Sequence, residues 1–334
     1  MRVTRRHLIQ AASLPLASMV SSISTGRLLR ASGQAKIAIT MDLEMARNFP
    51  TWESTHWDYE KGNLNEETRR YALEAARRVK QAGGLVHFFV VGQLFEQADL
   101  GWLQEIVEMG HPIGNHTYDH INLTATKPSE LQYRFQRSPW LLRKLSVVDA
   151  IRDNVRMTSE AMQERLGIRP SGFRTPGGFS DGLNQHADVR AILREEGFDW
   201  ISSLYPSHPN SEPMQEPSEE VLQGIVDAQV RAQPFQYVDG MVEVPMSPIS
   251  DIGAFRNGRW KLDWFLKSLR QCLSWTIDRG AVFDFLAHPA CLYVTDPEYR
   301  AIDLICSIVR DAGDRATIVD LATIARQFQR PSPR

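Results

Sequence analysis

A short apolar run that ends in two acidic residues opens the patterned part of the sequence, where residues 36–44 read KIAITMDLE. Residues two apart on a strand point to the same face, so Asp42 and Glu44 share one face while Leu43 points away. One of these carboxylates can then bind a metal ion while the other stays available as a base. Strand ends also often carry an acid that is simply solvated, so this stretch alone leaves both interpretations open.

Downstream of this strand, short apolar runs alternate with helical patterns, which is typical of an α/β fold with a largely parallel sheet. Residues 66–81 are amphipathic and stop at a glycine pair, and residues 85–91 form an almost wholly apolar run, as expected for a strand covered on both faces. Residues 129–166 are predicted to be mostly helical and residues 205–240 to form a long loop. About seven strand–helix units predict a barrel, whose reactive residues gather at the carboxyl ends of the strands.

The composition fits a globular protein and excludes some classes of partner. The chain has 334 residues, 43% hydrophobic and 23% charged, with a net charge of −2. Because no cluster of Lys and Arg follows the first 30 residues, we expect no nucleic acid partner. Three cysteines, Cys272, Cys291 and Cys306, are too few and too irregularly spaced for a disulfide framework or a thiolate metal site.

The amino-terminal 35 residues have the layout of an export signal. Arg2, Arg5 and Arg6 precede a moderately apolar run, and no acidic residue occurs before Asp42. Residues 4–10 resemble the signal read by the twin-arginine export machinery, and an ordinary secretory signal or an uncleaved anchor are the alternatives. Serines interrupt the apolar run, so we expect no stable membrane span in the mature protein.

These features predict an exported protein of the periplasm or cell envelope. The predicted organisation is an export signal at residues 1–35, a catalytic domain at residues 36–328 and a carboxyl-terminal tail at residues 329–334. Residues 46–64 form a predicted long loop that carries Trp52, Trp57 and Tyr59. These aromatic side chains either stack on sugar rings or close a small satellite core under the loop.

Two histidines follow the short predicted strand at residues 112–115. His116 and His120 are four residues apart, and on a helical turn two imidazoles at this spacing face the same way and can bind one zinc ion. Two histidines and one carboxylate, with an open position for water, are a recurring catalytic zinc set. Asp119 lies between them, and we expect it to face water rather than a histidine ring.

Two further strand ends carry residues suited to hydrolysis. His288 closes the predicted strand at residues 282–287, where it suits a general acid, or else is a structural histidine. Arg174 ends another apolar strand, and a cation beside a carboxylate keeps that carboxylate ionised. Gly177 and Gly178 follow Arg174 and allow the backbone to approach a ligand closely.

In this order, the motifs resemble the polysaccharide deacetylase (NodB-homology) superfamily, carbohydrate esterase family four, from residue 36 to about residue 325. The segments FFVVG at residues 88–92 and GHPIGNHT at residues 110–117 are also similar to segments of that family. Most members have two adjacent acids in the first motif. The Asp-Leu-Glu arrangement here looks like the branch with one residue between the two acids.

The resemblance implies a distorted (β/α) barrel that binds a divalent metal ion, usually zinc, and hydrolyses acetamido sugars. It implies that Asp42 is the base and that Glu44, His116 and His120 are the metal ligands. It also implies the remaining roles: Arg174 orients Asp42, His288 is the acid, Leu286 lines the pocket for the acetyl methyl group, and a backbone N–H near Gly177 binds the oxyanion. The family's acidic partner of the histidine has no clear counterpart, because Asp199 is out of phase with its strand end.

The predicted function is therefore metal-dependent removal of N-acetyl groups from a polysaccharide such as peptidoglycan, an exopolysaccharide or a chitin-like polymer. Two alternatives remain: a hydrolase of a small linear or cyclic amide or ureide on the same fold, and a catalytically silent carbohydrate-binding protein. The aromatic loop favours an N-acetylated glycan as the partner. The presence of the whole set of acid, base and metal-binding residues argues against a silent protein.

Overall fold

The structure is a computed structural model that describes residues 33–45 and 61–329. Residues 1–32 of the predicted export signal, the aromatic residues Trp52, Trp57 and Tyr59, and residues 330–334 of the predicted tail lie outside these ranges. Within the two ranges, no helix is both long enough and apolar enough to cross a lipid bilayer.

The described residues form one curled sheet. Its strands are β1 (Ala35–Leu43), β2 (Val86–Val90), β3 (Ile113–Asn115), β4 (Phe173–Phe179), β5 (Trp200–Leu204), β6 (Phe235–Gln236), β7 (Val242–Glu243), β8 (Val282–Ala287) and β9 (Ala316–Ile318). Eight strands follow the order β6-β7-β5-β4-β3-β2-β1-β8, and β9 pairs with β1. All of these pairings are parallel except that of β6 with β7. The predicted distorted (β/α) barrel is confirmed.

Helices cover the outside of this sheet. They are α1 (Glu66–Gln81), α2 (Gly101–Glu108), α3 (Pro128–Leu131), α4 (Tyr133–Arg137), α5 (Val147–Leu166), α6 (Ala187–Glu195), α7 (Glu219–Ala228), α8 (Leu262–Arg279), α9 (Pro289–Thr295), α10 (Arg300–Ala312) and α11 (Leu321–Phe328). Local capping explains the sharp starts of the long ones. The Asn65 side chain accepts the Thr68 amide at 3.0 Å to begin α1, and Ser146 and Asp149 form a reciprocal capping box at the start of α5.

The prediction that residues 129–166 are mostly helical is confirmed, although short helices and a turn at Pro139–Leu142 precede α5. Proline at the first position of that turn lacks the N–H that would continue α4. The prediction of one long loop at residues 205–240 is wrong, because this stretch contains α7. Ser218 caps the start of α7, and the apolar face of α7 packs against α8.

The amino end of the barrel is filled with apolar side chains. Ala38, Phe89, Trp200 and Val282 pack there against residues of α11, which closes that end. Gly172 stands beside this layer with φ +89°, and a Cβ atom added to it would lie 1.9 Å from the Trp200 ring. Since nothing larger than glycine fits, this position fixes how closely the start of β4 approaches β5.

Side chains close the barrel where no strand ladder joins β7 to β8. The Ser247 amide donates to the Asp284 carbonyl at 3.2 Å, and the Asp284 amide donates to Ser247 Oγ at 2.9 Å. Nearer the amino end of β8, the Val282 amide donates to Gln233 Oε1 at 2.9 Å, and Gln233 Nε2 donates to the Val282 carbonyl at 3.1 Å. The backbone groups of Val282 and Asp284 on the unpaired edge of β8 thereby have hydrogen-bond partners, as a buried backbone requires.

Candidate active site

The carboxyl ends of the strands meet around one cavity of about 210 Å³. The structure brings seven of the residues predicted from the sequence to its walls: Asp42, Glu44, His116, His120, Gly177, Leu286 and His288. Thr175, Tyr205, Met246 and Ile252 complete much of the lining. This placement follows from the parallel strands, whose carboxyl ends all face the same side of the sheet.

Glu44, His116 and His120 present one ligand atom each within 4.8 Å of one another. Glu44 Oε2 lies 3.5 Å from His116 Nε2 and contacts His120 Nε2. That oxygen is buried and, in the described part of the chain, accepts no hydrogen bond. A buried carboxylate oxygen that faces two imidazole nitrogens fits a divalent metal ion, since zinc takes such nitrogen and oxygen ligands.

Neighbouring groups set the ring orientation of His116 and the pKa values of His120 and Glu44. His116 Nδ1 lies 2.9 Å from the Arg174 carbonyl and donates to it, which leaves the Nε2 lone pair facing the cavity. Burial lowers the pKa of His120 to about 4, although Glu44 raises it. Burial raises the pKa of Glu44, but the His120 and Lys61 side chains outweigh it and hold that pKa well below its ordinary value.

The predicted helical turn between the two histidines is wrong. Residues 116–120 form a loop in which Thr117 and His120 have positive φ values of 60° and 56°. Asn154 on α5 holds this loop, because it accepts the Asp119 amide with its side chain at 2.8 Å and the Tyr118 amide with its carbonyl at 3.1 Å. The two rings therefore converge, 5.0 Å apart between centroids, through tertiary contacts rather than helical spacing.

Asp119 does not face water, contrary to the sequence prediction. Only 6% of the residue is exposed. Its carboxylate accepts a hydrogen bond from Gln93 Nε2 at 2.5 Å and pairs with Arg134. Asp119 thus ties the loop of the two histidines to the segments on both sides of it.

Arg174 lies beneath the cavity, with no exposed surface. Its Nη1 donates to Asp42 Oδ1 at 3.1 Å and to Thr40 Oγ1 at 2.7 Å, and its Nη2 donates to Asp284 Oδ2 at 2.5 Å. The guanidinium also lies 4.4 Å from the centre of the Phe89 ring. Asp42 is therefore held through Oδ1, which leaves its Oδ2 directed to the cavity, 3.7 Å from His116 Nε2.

His288 has a partner that the sequence did not identify. Asp251 Oδ1 lies 3.0 Å from His288 Nδ1, and Asp251 Oδ2 accepts the His288 amide at 2.6 Å. Burial alone lowers the pKa of His288, but the buried Asp251 outweighs it and raises that pKa to about 9. Asp199, the residue with the family's letters, lies elsewhere and accepts a hydrogen bond from Gln329 at 2.6 Å.

Two other charged residues of the site also escaped the sequence motifs. Lys61 is 4% exposed, and its Nζ lies 3.4 Å from Glu44 Oε1. Asp284 shares Arg174 with Asp42, and burial raises the pKa of Asp284 to about 6 although Arg174 lowers it. No local feature of the sequence distinguishes Lys61, which is a lone lysine after a loop. Asp284 could have been identified from the sequence, since an acid inside an otherwise apolar strand requires a buried partner.

The backbone bends at the cavity wall formed by β4. The pairing register of β4 with β5 shifts between Arg174 and Phe179. Within this irregular stretch Gly177 has φ +75°, and Thr175 Oγ1 donates to the Gly177 carbonyl at 2.7 Å. No heavy atom lies within 4 Å of the place where a Cβ of Gly177 would be. The chain is therefore open to a close approach by a ligand there.

The comparisons with known proteins agree with this architecture. A family model described as polysaccharide deacetylase matches residues 59–200. A structure from Mycobacterium smegmatis, assigned as a polysaccharide deacetylase, has a TM-score of 0.57 and 19% identity, and the match covers 91% of this chain and 96% of that one. A structure from Pseudomonas aeruginosa PAO1 with the same assignment has a TM-score of 0.58 and 13% identity, over 90% and 92% of the two chains.

An allantoinase also shares the fold, with a TM-score of 0.54 and 15% identity over 91% of this chain and 93% of that chain. At these identities the three structures establish likeness of fold. No sequence among curated proteins matches the chain.

The cluster of Glu44, His116 and His120 predicts one bound divalent ion per chain. We expect Glu44→Ala, His116→Ala and His120→Ala each to weaken zinc binding by more than the roughly 10–100-fold that loss of an outer partner costs. Calorimetric titration of zinc into the chelator-treated protein measures this. His186→Ala, which lies outside the cluster, is the matched control. Unchanged affinity in all three ligand variants would place the ion elsewhere.

Proposed function

We propose that the chain is a metal-dependent hydrolase that removes N-acetyl groups from an acetamido-sugar polysaccharide, and the match of the polysaccharide deacetylase family model to residues 59–200 supports this proposal. One observation carries the proposal. A candidate base and a candidate acid, Asp42 and His288, stand on the same cavity as the ligand set, with Asp42 Oδ2 3.9 Å from His288 Nε2. This arrangement suits hydrolysis of an amide bond.

The first step requires a water molecule and a base. When held by Glu44, His116 and His120, a divalent ion, for which we propose zinc, supplies a Lewis acid that polarises a carbonyl and acidifies water. Asp42 takes the proton of the attacking water through Oδ2, because Arg174 holds Oδ1. A backbone N–H near Gly177, where the chain is open to the cavity, binds the oxyanion.

The second step requires an acid for the leaving amine. His288 carries a proton at neutral pH because Asp251 raises its pKa to about 9. Asp251 engages Nδ1, so Nε2 faces the cavity and delivers its proton to the amine nitrogen of the sugar. Leu286, an apolar wall of the cavity, contacts the acetyl methyl group.

A glycan substrate is the first choice, and a small amide or ureide is the second. The family and the predicted aromatic loop with Trp52, Trp57 and Tyr59 favour the glycan, although those three residues lie outside the described ranges. The shared fold of an allantoinase and the modest cavity volume of about 210 Å³ support the second candidate. Export by the twin-arginine route to the periplasm or envelope is part of the proposal and rests on residues 1–35.

Acetate release tests the proposal and separates the two substrates. We expect the zinc-loaded protein to release acetate from N-acetylated oligosaccharides, faster from longer ones, and to leave a cyclic ureide intact. Asp42→Asn should lower kcat by roughly 10²–10⁴ because it removes the base. Asp199→Asn, an acid outside the cavity, is the matched control and should keep its activity. An Asp42→Asn variant with nearly full activity would contradict the assigned role.

The pH profile tests the pairing of His288 with Asp251. An acid must be protonated to act, so activity declines as the pH rises through the pKa of His288. Asp251→Asn removes the charge that raises this pKa. We therefore expect the descending limb of kcat against pH to move down by roughly 1–3 units. An unchanged limb in an active Asp251→Asn enzyme would show that another group supplies the proton.

A further inference from the structure

Exposed apolar side chains concentrate in one segment of the surface. The described residues include ten large hydrophobic side chains that are exposed, and five of them lie between Tyr133 and Val148. Trp140 is 72% exposed and Val148 is 51% exposed, with Leu141 and Leu145 between them. Singly scattered apolar side chains are ordinary on a protein surface, but a cluster of this kind marks an interaction site. We call residues 139–148 the apolar ridge.

The backbone of the apolar ridge is built to present these side chains outwards. A single turn at Pro139–Leu142 is followed by Arg143 and Lys144, which both have positive φ values, 48° and 71°. Two consecutive residues other than glycine in this left-handed backbone conformation are uncommon. Leu142 is 5% exposed and anchors the turn, and the Leu145 amide donates to its carbonyl at 2.7 Å. The reversal leaves Leu141 and Leu145 in solvent on either side of two cations.

The charged side chains within the apolar ridge and in the seven residues before it are all positive. Arg137, Arg143 and Lys144 are exposed, and no acidic residue occurs from Gln132 to Ser146. The chain as a whole has a net charge of −2, so this local excess does not reflect the average composition. Apolar side chains flanked by cations favour a partner that is both apolar and anionic.

The apolar ridge lies at the same end of the barrel as the cavity. The segment leaves β3 at its carboxyl end, and α5 then runs back towards the amino end of β4, so the start of α5 is at the cavity end. Contacts tie the segment to the loop of the two histidines. Arg134 pairs with Asp119, and the Asn122 amide donates to the Leu131 carbonyl at 2.7 Å.

We propose that the apolar ridge docks the enzyme on an anionic lipid bilayer, with Trp140, Leu141 and Leu145 among the acyl chains and Arg143 and Lys144 at the headgroups. Tryptophan and leucine flanked by cations is the composition of segments that bind at the membrane interface. Sugar recognition would instead use polar side chains beside the aromatic ring, whereas exposed leucines offer sugars no hydrogen bond. A symmetric contact with a second copy would bring Arg143 and Lys144 against their own counterparts.

Binding to vesicles tests the proposal without turnover, so its outcome is independent of whether acetate is released. The full chain is sedimented with vesicles of phosphatidylcholine alone or mixed with phosphatidylglycerol. Relative to the unaltered chain, we expect Trp140→Ser with Leu145→Ser, and separately Arg143→Glu with Lys144→Glu, to lose about tenfold or more in affinity for the mixed vesicles. Val230→Ser with Val238→Ser removes exposed apolar side chains elsewhere and is the matched control.

All variants keep the amino-terminal apolar run, so differences among them report on the apolar ridge. The proposal predicts that both ridge variants release acetate from short soluble oligosaccharides at the unaltered rate. Equal vesicle binding by the ridge variants and the control would overturn it. So would a ridge variant that binds vesicles normally but changes the oligomeric state in sedimentation velocity, which would identify a second copy as the partner. Loss of affinity for long glycans alone would overturn it in favour of a sugar-binding surface.

Discussion

A buried guanidinium between two carboxylates is the interaction on which the rest of the site depends. Arg174 has no exposed surface and donates to both Asp42 and Asp284. An ion pair of this kind is stable only when all its members are present, because a lone charge in the protein interior costs several kcal/mol. The Arg174 carbonyl also accepts from His116. One residue therefore fixes the orientation of the proposed base and of one proposed metal ligand.

The barrel divides its interior into an apolar part and a polar part. Phe89, Trp200 and α11 fill the amino end. The ion pair of Arg174 separates this core from the cavity, and the Arg174 guanidinium lies over the Phe89 ring. The segment after β7 has two tasks, since Ser247 closes the barrel against β8 and Asp251 orients His288. Closure of the barrel and placement of the proposed acid thus both depend on the short segment from Ser247 to Asp251.

Local signals in the sequence predicted a large part of this structure. The bounds of α1 and β8 agree with the predicted runs because capping residues and apolar periodicity are local. The strand ends also brought the site residues together as expected. Three features of the site depend on contacts between distant parts of the chain, which no short motif encodes. They are the conformation of the loop of His116 and His120, the pairing of Asp251 with His288, and the position of Lys61 beside Glu44. The roles of the site residues and the export signal stay predictions.

The free energy of unfolding of Arg174→Met, alone and combined with Asp284→Asn, tests the central role of the buried ion pair most directly. Urea denaturation should show that Arg174→Met costs about 3–5 kcal/mol, because it leaves two carboxylates without their cation. Asp284→Asn should destabilise the unaltered protein yet restore part of the stability of Arg174→Met, because it removes one of the unpaired charges. Effects that simply add, or a cost of Arg174→Met below about 1 kcal/mol, would contradict the account.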